Sequence, residues 1–263
     1  RLNVSEPKGY LFEIFSSIQG EGIRVGERQI FVRTAGCSAT CSWCDTVPSK
    51  KRRPYFAVYD GEKKTIQNPV TPARVVKEVL PLTGAGNPVR WVSITGGEPL
   101  VQKDAPALIG KLLGEGYKVV VETNGAMPLD EMPCDDNLSI SMDIKCPSSG
   151  EAGKMLFENL EMLGPTDQLK FVVSDEADYE YAKKVIREHP PTCDVILTPV
   201  GGKDLKWLAE SAIKDNLDAI KAGIISGAIN IDYPCRPRFH AEMIENDVFG
   251  VDWLPAIDIT LSH

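Results

Sequence analysis

Gln29-Ile30-Phe31-Val32-Arg33-Thr34-Ala35-Gly36-Cys37-Ser38-Ala39-Thr40-Cys41-Ser42-Trp43-Cys44-Asp45 is an apolar strand candidate that runs straight into a polar loop bearing three cysteines. A closed structural zinc site takes four ligands, usually in two pairs. The next cysteine, Cys134, stands far off with no second pair around it. An iron–sulfur cube held by three cysteines keeps one iron open to a non-protein ligand. Three incidental core thiols would have no physical reason to crowd a loop of this composition, which makes that the weaker alternative.

Outward from this stretch, apolar strand candidates alternate with helical patterns, the habit of a parallel α/β architecture. The first core strand is 29–33; the others are Trp91 to Ile94, Lys118 to Val121, Leu138 to Met142, Leu169 to Val173 and Asp194 to Leu197. Apolar residues recur at three- and four-residue spacing near 72–81, 104–115, 153–163, 176–188 and 203–215, which predicts helices there. Leu11 to Phe15 reads as an extra strand ahead of the core. The expected fold is an open, partial TIM-like barrel of about six parallel strands, whose chemistry belongs at the carboxyl ends of the strands. The chain of 263 residues is read as one domain, 1–263, with an irregular insertion at about 47–71 after the cysteine loop.

At a net charge of −8, a general nucleic-acid surface is not expected, and no basic stripe with interleaved aromatics occurs. The segment Arg1 to Glu6 lacks the apolar core of a signal peptide, and no apolar run reaches bilayer length, so the expectation is a cytoplasmic protein. Cys134, Cys146, Cys193 and Cys235 are scattered singly and read as ordinary thiols. Of the histidines, His189 reads as a helix-end charge; His240 and His263 carry no assignment.

The second core strand ends in Ser93-Ile94-Thr95-Gly96-Gly97-Glu98-Pro99. Paired glycines admit a ligand close to the backbone, and the carboxylate can accept from an ammonium group. The third ends in Glu122-Thr123-Asn124-Gly125 and the fourth in Ser141-Met142-Asp143-Ile144-Lys145; alone, each could be a satisfied strand terminus or cap. The open iron is what a radical enzyme uses to chelate S-adenosylmethionine and cleave it to a 5′-deoxyadenosyl radical. Cysteine spacing plus the Gly-Gly-Glu-Pro turn resembles the radical S-adenosylmethionine superfamily. That resemblance implies a 4Fe-4S cluster on Cys37, Cys41 and Cys44. It also implies S-adenosylmethionine contacts at Gly96, Gly97, Glu98, Glu122, Ser141, Asp143 and Lys145, with Trp43 against the adenine.

Phe15-Ser16-Ser17-Ile18-Gln19-Gly20-Glu21-Gly22, followed by Ile30 to Cys37, resembles the 7-carboxy-7-deazaguanine synthase family, strongly from about Leu11 to Gly125 and more weakly to Gly150. The resemblance implies a radical rearrangement of 6-carboxy-5,6,7,8-tetrahydropterin to 7-carboxy-7-deazaguanine with loss of ammonia. It implies substrate contacts at Ile18, Gln19, Gly20, Glu21, Arg33 and Thr95, and magnesium on Thr46. A flavodoxin or ferredoxin type electron donor and a homodimer are also expected. A pterin edge offers donors and acceptors that Gln19 and Glu21 can read, and Arg33 can clamp a carboxylate. Leu197-Thr198-Pro199-Val200 departs from the family, which often has a glutamine before the proline, and Phe249 to His263 matches nothing recognised. The competing activities are an activating enzyme that makes a glycyl radical on a partner protein and a non-enzymatic iron–sulfur or zinc module.

Overall fold

The fold follows from a two-residue alternation that is plain along Leu138-Ser139-Ile140-Ser141-Met142-Asp143-Ile144. Successive side chains of a strand point to opposite faces, so this strand has one apolar face and one polar face. A computed structural model of the protein describes residues 6–202, 205–215 and 217. Its strands are β1 (Leu11–Ile18), β2 (Arg28–Thr34), β3 (Tyr55–Asp60), β4 (Glu62–Gln67), β5 (Trp91–Gly96), β6 (Lys118–Thr123), β7 (Leu138–Ile144), β8 (Gln168–Val173) and β9 (Asp194–Pro199). They form one open nine-stranded sheet, order β4-β3-β1-β2-β5-β6-β7-β8-β9. From β2 through β9 the six core strands pair in parallel. These are the six expected from the sequence.

The apolar face of these strands packs against α1 (Pro72–Val79), α2 (Ala105–Gly114), α3 (Glu176–Glu188) and α4 (Leu205–Lys214). Val92, Ile94, Val119, Val121, Met142 and Phe171 share one buried cluster with Val79, Ile109, Ala182 and Leu208. The opposite parity carries Arg33, Ser93, Thr95, Glu122, Asp143 and Lys170. Register brings these into rows across the strands: Arg33 beside Thr95, Glu122 beside Ser141, Asp143 beside Lys170. No helix among the described residues is long and apolar enough to cross a membrane.

The extra strand expected ahead of the core is present as β1, and two other segments, within 47–71 and 153–163, differ from the sequence expectation. The extra strand β1 runs antiparallel to β2, and the loop between them is pinched shut by Gln19 N–H to Glu27 O and Gly26 N–H to Gln19 O, each 2.8 Å. Within 47–71 lies the hairpin β3–β4, which extends the sheet beyond β1; its outer strand is exposed and carries Glu62, Lys63 and Lys64, which suits an edge. The helix expected at 153–163 is absent. Short 3₁₀ turns at Ala152–Lys154 and Phe157–Met162 stand there instead. Asn159 explains it: its amide donates to Met127 O at 2.8 Å and accepts from Leu129 N–H at 3.2 Å, while Leu156 N–H bonds to Gly125 O at 3.0 Å. These tertiary bonds hold the backbone in another path. Cys235, His240, His263 and 249–263 lie outside the described residues.

Asn68 ties the hairpin to the core. Its side chain accepts from Leu11 N–H at 2.9 Å and donates to Leu11 O at 2.8 Å and Arg53 O at 3.0 Å. Asn68→Ala should leave these buried backbone groups unpaired and cost about 1–3 kcal/mol in a denaturant titration.

Candidate active site

The cysteine loop leaves β2 at Thr34 and is braced from three directions. Gly36 N–H donates to Ser49 O at 2.8 Å, and Ser42 N–H to Ser149 O at 3.2 Å. Thr40 donates to Glu151 Oε1 through both its N–H (2.9 Å) and its hydroxyl (2.7 Å). An ion pair from Lys154, with these bonds, holds the Glu151 carboxyl down at about 2. Asn124 Nδ2 donates to Ser38 Oγ at 3.0 Å. The three thiols are free and half-buried. Burial pushes the Cys37 and Cys41 thiols up, so loading a metal there must release protons.

The turn after β5 closes against the start of this loop. Gly96 has φ 137°, and a Cβ on Gly97 would lie 2.1 Å from Gly36 O and 2.8 Å from Cys37 Cβ. No other residue fits that approach without moving the loop. Glu98 N–H then donates to Gly36 O at 2.8 Å. The Glu98 carboxylate accepts from Asn124 N–H (2.6 Å), Leu100 N–H (2.9 Å) and Thr123 Oγ (3.0 Å), and burial raises it to about 7.

Loop, turn and the polar strand face enclose a cavity of about 360 Å³. Cys37, Cys41, Cys44, Trp43 and Thr46 line one side of it, Gly96 and Gly97 another. Glu122 stands between them and Gln19: Oε1 accepts from Gln19 Nε2 and Ser93 Oγ, each 3.0 Å, and Oε2 from Thr95 Oγ at 2.9 Å. Lys170 Nζ reaches Glu21 Oε1 at 2.7 Å and Asp143 Oδ1 at 3.2 Å; Lys145 Nζ reaches Asp143 Oδ2 at 2.6 Å. Burial opposes charge here, yet the two lysines outweigh it and hold the Asp143 carboxyl below its usual range. Asp143 and Glu21 likewise keep Lys170 raised against burial. Arg33, 2% exposed, donates from Nε to Glu13 Oε1 at 3.0 Å and lines the same cavity with Ile18 and Gly20.

Residues 31–143 match the Radical SAM superfamily. A 7-carboxy-7-deazaguanine synthase from Methanospirillum hungatei is 40% identical over 211 residues, 79% of either chain. The chain belongs to the 7-carboxy-7-deazaguanine synthase family. A second synthase, from Koribacter versatilis, is 38% identical over 204 residues, covering 76% of this chain and 81% of that one. The crystal structure of QueE from Escherichia coli shares the fold, with a TM-score of 0.61 at 23% identity over 80% of this chain and 91% of that one.

Two side chains that the family resemblance assigned to the cofactor stand outside the cavity lining. Glu98 is fully buried behind it as a brace between turns, and Ser141 accepts from Gln168 Nε2 at 2.6 Å. The cavity lining also includes residues that the sequence reading did not assign, among them Lys50, Asn124, Lys170 and Thr198. The signal for Lys170 was a lone charge inside an apolar strand, and for Asn124 a strand-end amide beside a glycine. Thr198 Oγ is buried with no hydrogen-bond partner. Its neighbour Pro199 also lines the cavity. His189 caps α3 at its C-terminal end and stacks on Phe157, ring centres 5.0 Å apart.

Gly97→Ala should displace Gly36 and Cys37 and lower iron and sulfide incorporation several-fold, while far-UV circular dichroism stays near wild type. Gly114→Ala, at a helical glycine with open space around it, should change neither.

Proposed function

We propose that this chain catalyses the synthase reaction of its family, the conversion of a 6-carboxytetrahydropterin to 7-carboxy-7-deazaguanine with loss of ammonia. The supporting observation is that one cavity is lined both by three free thiols and by a paired, polar strand face. The donor set fits a 4Fe-4S cluster and S-adenosylmethionine: three free thiols on a braced loop, and a glycine turn too close to that loop to carry side chains. Cys37, Cys41 and Cys44 would hold the cluster, and bound together the two cofactors supply hydrogen-atom abstraction.

The protein's own part is positioning and electrostatics. The backbone at Gly96 and Gly97 leaves room for the cofactor's methionine end. Asp143, pinned between Lys145 and Lys170, is a fixed acceptor for ribose hydroxyls, and Trp43 offers an aromatic face to the adenine. Gln19, with its amide donating to Glu122, and the carboxylate of Glu21 give a donor–acceptor edge for the pterin ring. Ile18, Gly20 and Thr95 shape that end. Arg33, held by Glu13, would meet the substrate carboxylate. Thr46 is the protein ligand we assign to magnesium. Among the described residues no three Cys, His, Asp or Glu side chains form a group that could hold a single ion. Magnesium keeps several waters and takes few protein ligands, so substrate and water would complete its shell.

The paired Glu13 makes Arg33→Ala a poor probe, because it would strand a buried carboxylate. Arg33→Lys keeps the charge and loses the planar fork. It should raise KM for the carboxypterin about tenfold or more, with cluster content and uncoupled S-adenosylmethionine cleavage retained. Thr46→Val should abolish magnesium stimulation of product formation with little change in cofactor binding. Wild-type KM in the first, or an unchanged magnesium response in the second, would remove that residue from the site.

A further inference from the structure

Lys51, Arg52 and Arg53 stand exposed in succession beside the cysteine loop, and Lys50 ahead of them lines the cavity with the three cysteines. In a chain of net charge −8, this run has the opposite sign to the molecule as a whole. Two of its side chains are held in place: the Arg52 guanidinium lies 4.9 Å over the ring of Tyr10, and that of Arg53 lies 5.0 Å over Phe12. Ser49, the residue just ahead of the run, accepts from Gly36 N–H of the loop at 2.8 Å. Arg52 Nε lies 4.0 Å from where a Gly36 Cβ would stand, one residue before Cys37. Glu151, the carboxylate bracing the loop from the other side, is already paired with Lys154 at 2.6 Å. The run therefore presents an ordered positive surface next to the proposed cluster.

If the loop holds a redox cluster, as proposed above, an electron must reach it from another protein. We infer that the 50–53 run is the docking surface for an acidic one-electron carrier protein. One electron leaves the reduced carrier and enters the cluster; no proton or group is transferred. Complementary charge at the rim of the redox centre speeds encounter and fixes orientation, and salt screens it.

The test is binding of an oxidised, acidic flavodoxin to the reconstituted full chain, read by flavin fluorescence, for wild type, Lys51→Glu/Arg53→Glu and the milder Lys51→Gln/Arg53→Gln. Lys50 and Arg52 are left in place because they adjoin the cavity and Gly36. Wild-type Kd should rise about tenfold between roughly 20 and 200 mM salt. Charge reversal should weaken low-salt binding by about tenfold or more and flatten the salt dependence, with the neutral variant between. Cluster content and dithionite-driven cofactor cleavage should match wild type in both variants. Unchanged binding on charge reversal, or salt-independent binding by wild type, overturns the docking surface. Absence of dithionite-driven cleavage from wild type and variants alike counts against the functional proposal itself and removes this one with it.

Discussion

Two backbones meet at the ends of β2 and β5, and the site depends on how closely they meet. Gly97 lies against Gly36 and Cys37 at a distance that excludes any side chain, and Glu98 N–H locks the contact by bonding to Gly36 O at 2.8 Å. From there the constraint spreads. The Glu98 carboxylate fastens the end of β6 through Thr123 and Asn124, and Asn124 returns to the cysteine loop at Ser38. Three strand ends thus become one rim. Burying that carboxylate is unfavourable, as its rise to about 7 records, but three donors, Leu100 N–H, Asn124 N–H and the Thr123 hydroxyl, define a single geometry for it.

Below the rim, the strands carry charge where parallel sheets usually carry aliphatic side chains. Asp143 with Lys145 and Lys170, Lys170 with Glu21, and Arg33 with Glu13 are all paired. Such pairs contribute little net stability, because desolvation offsets their attraction. Their value is preorganisation: dipoles and charges fixed before a ligand arrives need not reorganise during reaction. The apolar face under the helices supplies the folding free energy that permits this arrangement.

Much of this was legible in the sequence, for identifiable reasons. The six core strands and α1, α2, α3 and α4 read correctly because their helix-facing residues are continuously apolar, and the three cysteines drew attention because of their close spacing on one loop. What the sequence did not show has another cause. Asn159 looked like a helix residue because its partners at Met127 and Leu129 are distant in sequence. Glu98 and Ser141 sat in the right motifs, yet the motif does not reveal whether a side chain faces the cavity or braces its wall. Lys170 was passed over inside a strand judged by its apolar neighbours, since its partners Glu21 and Asp143 become visible only when β8 is placed beside β7.

The central claim is that the thiol loop and the polar strand face act on one substrate in one cavity. The most direct measurement is mass spectrometry of products after the anaerobically reconstituted, reduced protein is incubated with S-adenosylmethionine, magnesium and 6-carboxytetrahydropterin. The account predicts 7-carboxy-7-deazaguanine accumulating in step with 5′-deoxyadenosine. Deoxyadenosine released at the same rate with or without the pterin, and no deazapurine, would contradict it.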